Sequence, residues 1–140
     1  MKLKITRAEV WAATIEDRPG GLSEKLSALA KAGANLEFII SRRKPDRRGE
    51  GVAFVTPVKG AQQVKAAKAS GFSKTDSLHS VRVEGTDKPG LGSALSKALA
   101  EAGLNLRGLS AAAFGRRFVA YLALDTAGAA AKAVNVLKKL

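Results

Sequence analysis

The stretch Asp17-Arg18-Pro19-Gly20-Gly21-Leu22 has the residue types needed to hold a small charged molecule. Pro-Gly ahead of an apolar-periodic run marks a helix N-terminus, and such an end offers unpaired N–H groups and partial positive charge to a carboxylate. Gly20 and Gly21 let backbone approach a ligand with no Cβ in between. Asp17 can take an ammonium group, and Asn35, just past the helix, supplies both a donor and an acceptor. This set could read the α-amino and α-carboxyl groups of an amino acid. It recurs as Asp87, Pro89, Gly90, Leu91 and Asn105. A structural reading competes at each motif, because Asp before a helix also caps it and Gly-x-Asn also ends one. The copies differ where Leu91 replaces Gly21 and Gly92 replaces Leu22, so the first loop is the favoured binding one.

A second group could hold anions. Arg42, Arg43, Lys44, Arg47 and Arg48 crowd the connection between two expected strands, and Arg116 and Arg117 occupy the equivalent connection later. Such tips are commonly solvated ends; the alternative is contact with a phosphate backbone or an acidic protein surface. The nearby aromatics, Phe38 and Phe54, read as core residues, which disfavours base stacking. Sequence-specific nucleic-acid reading is therefore not expected, while weak salt-sensitive binding is not excluded. His79 is the only histidine and there is no cysteine, so neither a metal site nor a thiolate nucleophile is expected. Ser23, Ser41 and Ser93 sit at expected caps or strand ends, and Trp11 and Tyr121 are expected to pack. With no P-loop, no Ser-His-Asp order and no paired carboxylates, we expect no catalysis and no cofactor.

Composition sets the class. The 140 residues carry 46% hydrophobic side chains, too many for a disordered chain, and a net charge of +12 that suits an acidic partner or a plain basic protein. No apolar run reaches the roughly 18–20 residues that cross a bilayer. Met1-Lys2-Leu3-Lys4-Ile5 lacks the apolar core of a signal peptide, so a cytoplasmic location is expected.

The elements that position these residues come in duplicate. Eleven of twenty positions match between 17–36 and 87–106, an offset of seventy that marks a tandem repeat. Residues 2–16 alternate as a strand. A helical stripe follows in Leu22, Leu26, Leu29 and Ala30, and in Leu91, Leu95, Ala98, Leu99 and Ala102, each helix opened by Pro in its first turn and stopped by Gly33 or Gly103. Strands are expected at 35–41 and 105–111, then at 52–55 and 119–122, helices at 60–70 and from Thr126 onward, and a strand at 72–78. Each copy thus reads strand-helix-strand-strand-helix-strand. That order predicts an α+β, ferredoxin-like βαββαβ unit, helices on one face of a mixed, antiparallel-rich sheet. The second copy lacks its fourth strand by Leu140, while residues 2–7 are surplus to the first. The N-terminal strand should therefore complete the second repeat, giving units at 8–78 and at 79–140 plus 2–7.

Asp-x-Pro-Gly at the first strand–helix junction, with Gly-x-Asn-Leu at the helix end, resembles the ACT domain in both copies. The whole chain is similar to two tandem ACT repeats of the stand-alone kind that carries no catalytic domain. The resemblance implies a regulatory module that binds a small effector, most commonly an amino acid, where the loop of one unit meets a strand of its neighbour, either between repeats or between chains. It also implies a homodimer through sheet edges, unless the two internal copies satisfy each other, and a separate enzyme or transporter is the expected reader of the signal. The competing function is an interaction module using the basic hairpins, which a salt titration separates.

Overall fold

The computed structural model describes residues 2–75 and 79–140. Their elements run β1 (Leu3–Ala8), β2 (Trp11–Glu16), α1 (Gly21–Lys31), β3 (Phe38–Arg43), β4 (Glu50–Thr56), α2 (Gly60–Ala69) and β5 (Ser73–Lys74). The second half supplies β6 (His79–Thr86), α3 (Leu91–Glu101), β7 (Gly108–Phe114), β8 (Arg117–Leu124) and α4 (Ala127–Leu137). They build two four-stranded sheets ordered β3-β4-β2-β5 and β1-β6-β8-β7.

The alternating stretch over 2–16 divides into two strands in different sheets, β1 and β2. β1 pairs antiparallel with β6, from Leu3↔Gly85 to Ala8↔Ser80, so the N-terminal strand completes the second repeat as its pattern required. The described residues accordingly fall into one compact unit over Glu9–Thr75 and another joining 2–8 to 79–140. Of the strand expected at 72–78, Ser73 and Lys74 pair with β2, and residues 76–78 lie outside the described residues.

The mixed sheet needs correcting. Every strand pairing among the described residues is antiparallel, because β4 inserts between β2 and β3, and β8 between β6 and β7. The strands that a helix connects run parallel but never touch. β3 and β7 also begin and end about three residues later than their apolar patterns suggested, so Arg42 and Arg43 belong to the strand and not to the loop.

Each unit has its own core between one sheet face and its two helices. In the first, Trp11, Ala13, Ile15, Ala53 and Val55 meet Leu29, Ala67 and Phe72. In the second, Ile5, Val81, Val83, Ala120 and Leu122 meet Leu91, Leu95, Leu99, Ala130 and Leu137. A large–small pair is inverted between the two. Ile15 faces Gly51 across β2 and β4, whereas Gly85 faces Phe118 across β6 and β8. A Cβ on Gly51 would stand 3.0 Å from Ile15, and one on Gly85 would stand 2.6 Å from Leu3 of β1. Total volume is held while its placement changes, the kind of exchange cores tolerate best.

Phe38 and Phe54 are not core residues. Phe54 pairs with Ile40 and Ala12, Phe38 pairs with Thr56, and all stand on the sheet face turned away from the helices, with both phenylalanines half-buried. Tyr121, expected to pack, is on the equivalent face of the second sheet. It is 7% exposed, and Arg82 Nε donates to its hydroxyl at 3.1 Å. Trp11 is buried in the core as expected.

Candidate functional site

Pro19 and Gly20 form the corner that turns β2 into α1. Gly21 N donates to Arg18 O at 3.0 Å, and Gly20 takes φ 86°, the left-handed value a type II turn requires at its third position. Pro19 therefore sets the turn and lies ahead of the helix, which begins at Gly21 and not in Pro19's own turn. Gly90, with φ 82°, repeats the corner before α3. Neither helix start has a side-chain cap, so Asp17 and Asp87 do not serve as the capping residues of the structural reading. Asp17 instead donates its N–H to Gly49 O and sets its carboxylate 3.0 Å from Arg43 Nε, while Asp87 N donates to Arg116 O. Both aspartates fasten the helix-start loop to the hairpin tip of their own unit.

Gly21 has no room for a side chain. A Cβ there would lie 2.1 Å from Glu16 O, so glycine lets the start of α1 close on the end of β2, and a cleft lies beside it between α1 and the ends of β2 and β4. The cleft measures ≈ 270 Å³ and is lined by Thr14, Ile15, Glu16, Gly21, Glu24, Lys25 and Glu50. Arg18 spans its rim. Its guanidinium donates to Glu24 at 2.7 Å and also pairs with Glu16. The hydrogen bond from Arg18 pulls the Glu16 carboxyl below the usual glutamate range, and Glu24 and then Glu16 hold Arg18 protonated more firmly than usual. Lys25 donates to Ser70 O, and Lys44 Nζ donates to Thr14 Oγ1 at 2.9 Å. Three glutamates and Lys25 thus line a space of single-metabolite size, below the roughly 300 Å³ where drug-sized pockets begin.

The second repeat has no counterpart of this lining. Leu91, Ala94, Leu95 and Arg117 stand in place of Gly21, Glu24, Lys25 and Glu50. Leu91 and Leu95 are core residues, 2% and 0% exposed. A smaller hollow of ≈ 150 Å³ lies among Lys2, Leu3, Thr86 and Lys88.

Of the residues singled out in the sequence, Asp17, Pro19, Gly20, Gly21 and Leu22 gather at one end of α1. Asn35 does not join them. It lies past the far end of this 11-residue helix, about 16 Å away at 1.5 Å per residue, and Asn105 is placed likewise after α3. Leu22 packs on the core of its unit. Glu16, Arg18, Glu24, Lys25 and Glu50 escaped the motif reading, although Glu24-Lys25 against Ala94-Leu95 was visible between the copies.

Among the basic residues, Arg43 holds Asp17, Lys44 holds Thr14, Arg47 approaches Glu50 at 3.7 Å and Arg117 approaches Glu84 at 3.4 Å. No ion pair ties Arg42, Arg48 or Arg116 among the described residues. Those residues also contain no cluster of three or more potential metal ligands, and none of their helices is long and apolar enough to cross a membrane.

The family model of the ACT domain matches residues 13–70. No curated protein matches the chain. Among solved structures, the fold is similar to a protein of Bacteroides thetaiotaomicron, with 18% identity over 96% of this chain and 89% of that one and a TM-score of 0.79. It is also similar to the ligand-free regulatory subunit of aspartate kinase from Thermus thermophilus, with 18% identity, coverage of 99% and 96%, and a TM-score of 0.66. The regulatory subunit of aspartate kinase from Thermus flavus gives 20% identity, coverage of 99% and 94%, and a TM-score of 0.62. At these identities the likeness concerns the fold.

Proposed function

We propose, from the match of residues 13–70 to the ACT-domain family model and the repeat of that fold in the second half, a non-catalytic regulatory protein that binds an amino acid in the cleft beside Gly21. One observation carries the reading. The cleft is lined by Glu16, Glu24, Glu50 and Lys25 together with Gly21, the first residue of a helix with no side-chain cap, within reach of one small molecule. The amides at the start of α1 suit the ligand's carboxylate, and Glu16, Glu24 or Glu50 suits its ammonium group. The ligand-free form named for the Thermus thermophilus subunit, and its role beside a kinase, support a sensor that acts on a separate enzyme or transporter. Effector binding that favours one arrangement of units or subunits would transmit the signal, in a cytoplasmic homodimer.

Amide NMR spectra of the full chain, recorded while each amino acid is titrated in, test the location. The expected result is a response centred on Gly20, Gly21, Glu24, Lys25 and Glu50. Changes centred on Gly90 and Leu91 instead would contradict it.

The runner-up uses the basic hairpin. It is favoured by Arg42 standing on the same open face as Phe38, Ile40 and Phe54, a basic and aromatic combination of the sort that holds single-stranded nucleic acid. Such binding would weaken steeply with salt, whereas effector binding would not.

A further inference from the structure

The two repeats carry opposite charge at the same corner of the fold. In the first, Glu16 of β2 stands in register with Glu50 of β4, and Glu24 lies in the first turn of α1. In the second, the matching pair is Thr86 of β6 and Arg117 of β8, and Ala94 stands in place of Glu24. Carboxylates have given way to a hydroxyl, a guanidinium and a methyl group. Lys88 replaces Arg18 in the loop that enters the helix, and with Thr86 and Ala94 where the glutamates were it has no carboxylate pair to bridge. No ion pair ties Lys88 or Lys2 among the described residues.

The hollow of ≈ 150 Å³ lies at this corner, lined by Lys2, Leu3, Thr86 and Lys88 and by no carboxylate. Glu84, the carboxylate of β6, is already held by Arg82 at 2.6 Å and by Arg117 at 3.4 Å. Asp87 lies outside the lining, and its N–H donates to Arg116 O at 2.8 Å, which brings a further cation to the same end of the sheet.

We propose that this hollow binds a compact oxyanion of the phosphate class, free or borne by a small metabolite. Lysine ammonium groups hold phosphate as point charges, each with three N–H donors to turn toward it, and the Thr86 hydroxyl adds a neutral donor. A neutral ligand would leave two like charges uncompensated beside one hollow, whereas a phosphate dianion balances both. The hollow has just over half the volume of the first repeat's cleft, which suits the oxyanion itself and leaves any attached group outside. A chain of net charge +12 also raises the anion concentration around it. The site spans the strand exchange: Lys2 and Leu3 arrive with the N-terminal strand, while Thr86 and Lys88 come from β6 and the loop after it. A bound anion therefore fastens β1 to the unit it completes. All four residues belong to the second unit, so the site stands whether or not the first cleft takes an amino acid.

The test is an amide NMR titration of the full-length protein with inorganic phosphate and, separately, with glycerol phosphate, sodium chloride holding the ionic strength constant. The expected result is a saturable response centred on Leu3, Thr86 and Lys88, with slower hydrogen exchange along β1. Lys2→Ala and Lys88→Ala, both at exposed positions, should each weaken binding by about tenfold, the loss of one charge-assisted contact, while Lys97→Ala on α3 should not. Tighter binding of the ester assigns the hollow to a phosphorylated metabolite, and tighter binding of the free ion assigns it to phosphate itself. A response that sodium chloride alone reproduces, one centred on Arg42 and Arg48, or one that either Lys2→Ala or Lys88→Ala leaves unchanged would overturn the proposal.

Discussion

At the scale of single residues, the two repeats differ most in how they treat charge. Glu24 and Lys25 border the cleft of the first, while Ala94 and Leu95 fill the same helix positions in the second. The second repeat instead keeps its charge on the open sheet face, where Arg82 Nη1 donates to Glu84 at 2.6 Å and Arg117 stands 3.4 Å away. The Arg82 hydrogen bond is the main cause holding the Glu84 carboxyl below its usual range. A carboxylate depressed in the folded state contributes stability above its unfolded pKa and loses it as pH falls through the folded value. Glu84→Gln should therefore flatten the decline of unfolding free energy between about pH 5 and pH 3, the span around and below an ordinary glutamate pKa. Urea melts at a series of pH values read this, and an unchanged slope would mean the pairing adds nothing to stability. Glu16 is depressed as well, but it is fully exposed, and solvent screening leaves its pairs with little effect.

At the scale of elements, the strand exchange is the feature most open to a direct test. Ile5 is 7% exposed, pairs with Val83 and belongs to the core of the second unit. Ile5→Ala should cost about 2–5 kcal/mol, the usual range for emptying a buried Ile site. Hydrogen exchange should rise first at Val81, Val83 and Leu122, and faster exchange confined to Trp11, Ala53 and Val55 would contradict the exchange. This strand was legible in the sequence because residues 2–7 align, at the same offset of seventy, with the strand expected after α2. Element order was legible for the same reason, as was the glycine corner before each helix. The sheet pairing was misread, since a helical crossover fixes strand direction but not adjacency. Strand ends were misread too, because the apolar pattern fades at the edge while backbone pairing continues through Arg43 and Phe114. The cleft was legible only in part. Gly21 was singled out for close approach, but the atom it makes room for is its own protein's Glu16 O, and the carboxylates around it come from three separate elements.

At the scale of the whole molecule, duplication has left the cleft and the uncharged edge strand in different copies. The first repeat opens a cleft at Gly21 and guards its edge strand with arginines; the second fills that position with Leu91 and leaves β7 uncharged. The central claim is that the first repeat's cleft takes an amino acid. A thermal-shift screen of the protein against the twenty amino acids at millimolar concentration, run beside Glu24→Ala and Lys97→Ala, tests it most directly. A ligand that binds only the folded state adds about 2.7 kcal/mol at a hundredfold excess over Kd, enough to raise Tm by several degrees. The account predicts such a rise for one or a few amino acids, kept in Lys97→Ala and reduced in Glu24→Ala. No rise with any amino acid, or a rise that Glu24→Ala leaves intact, would contradict it.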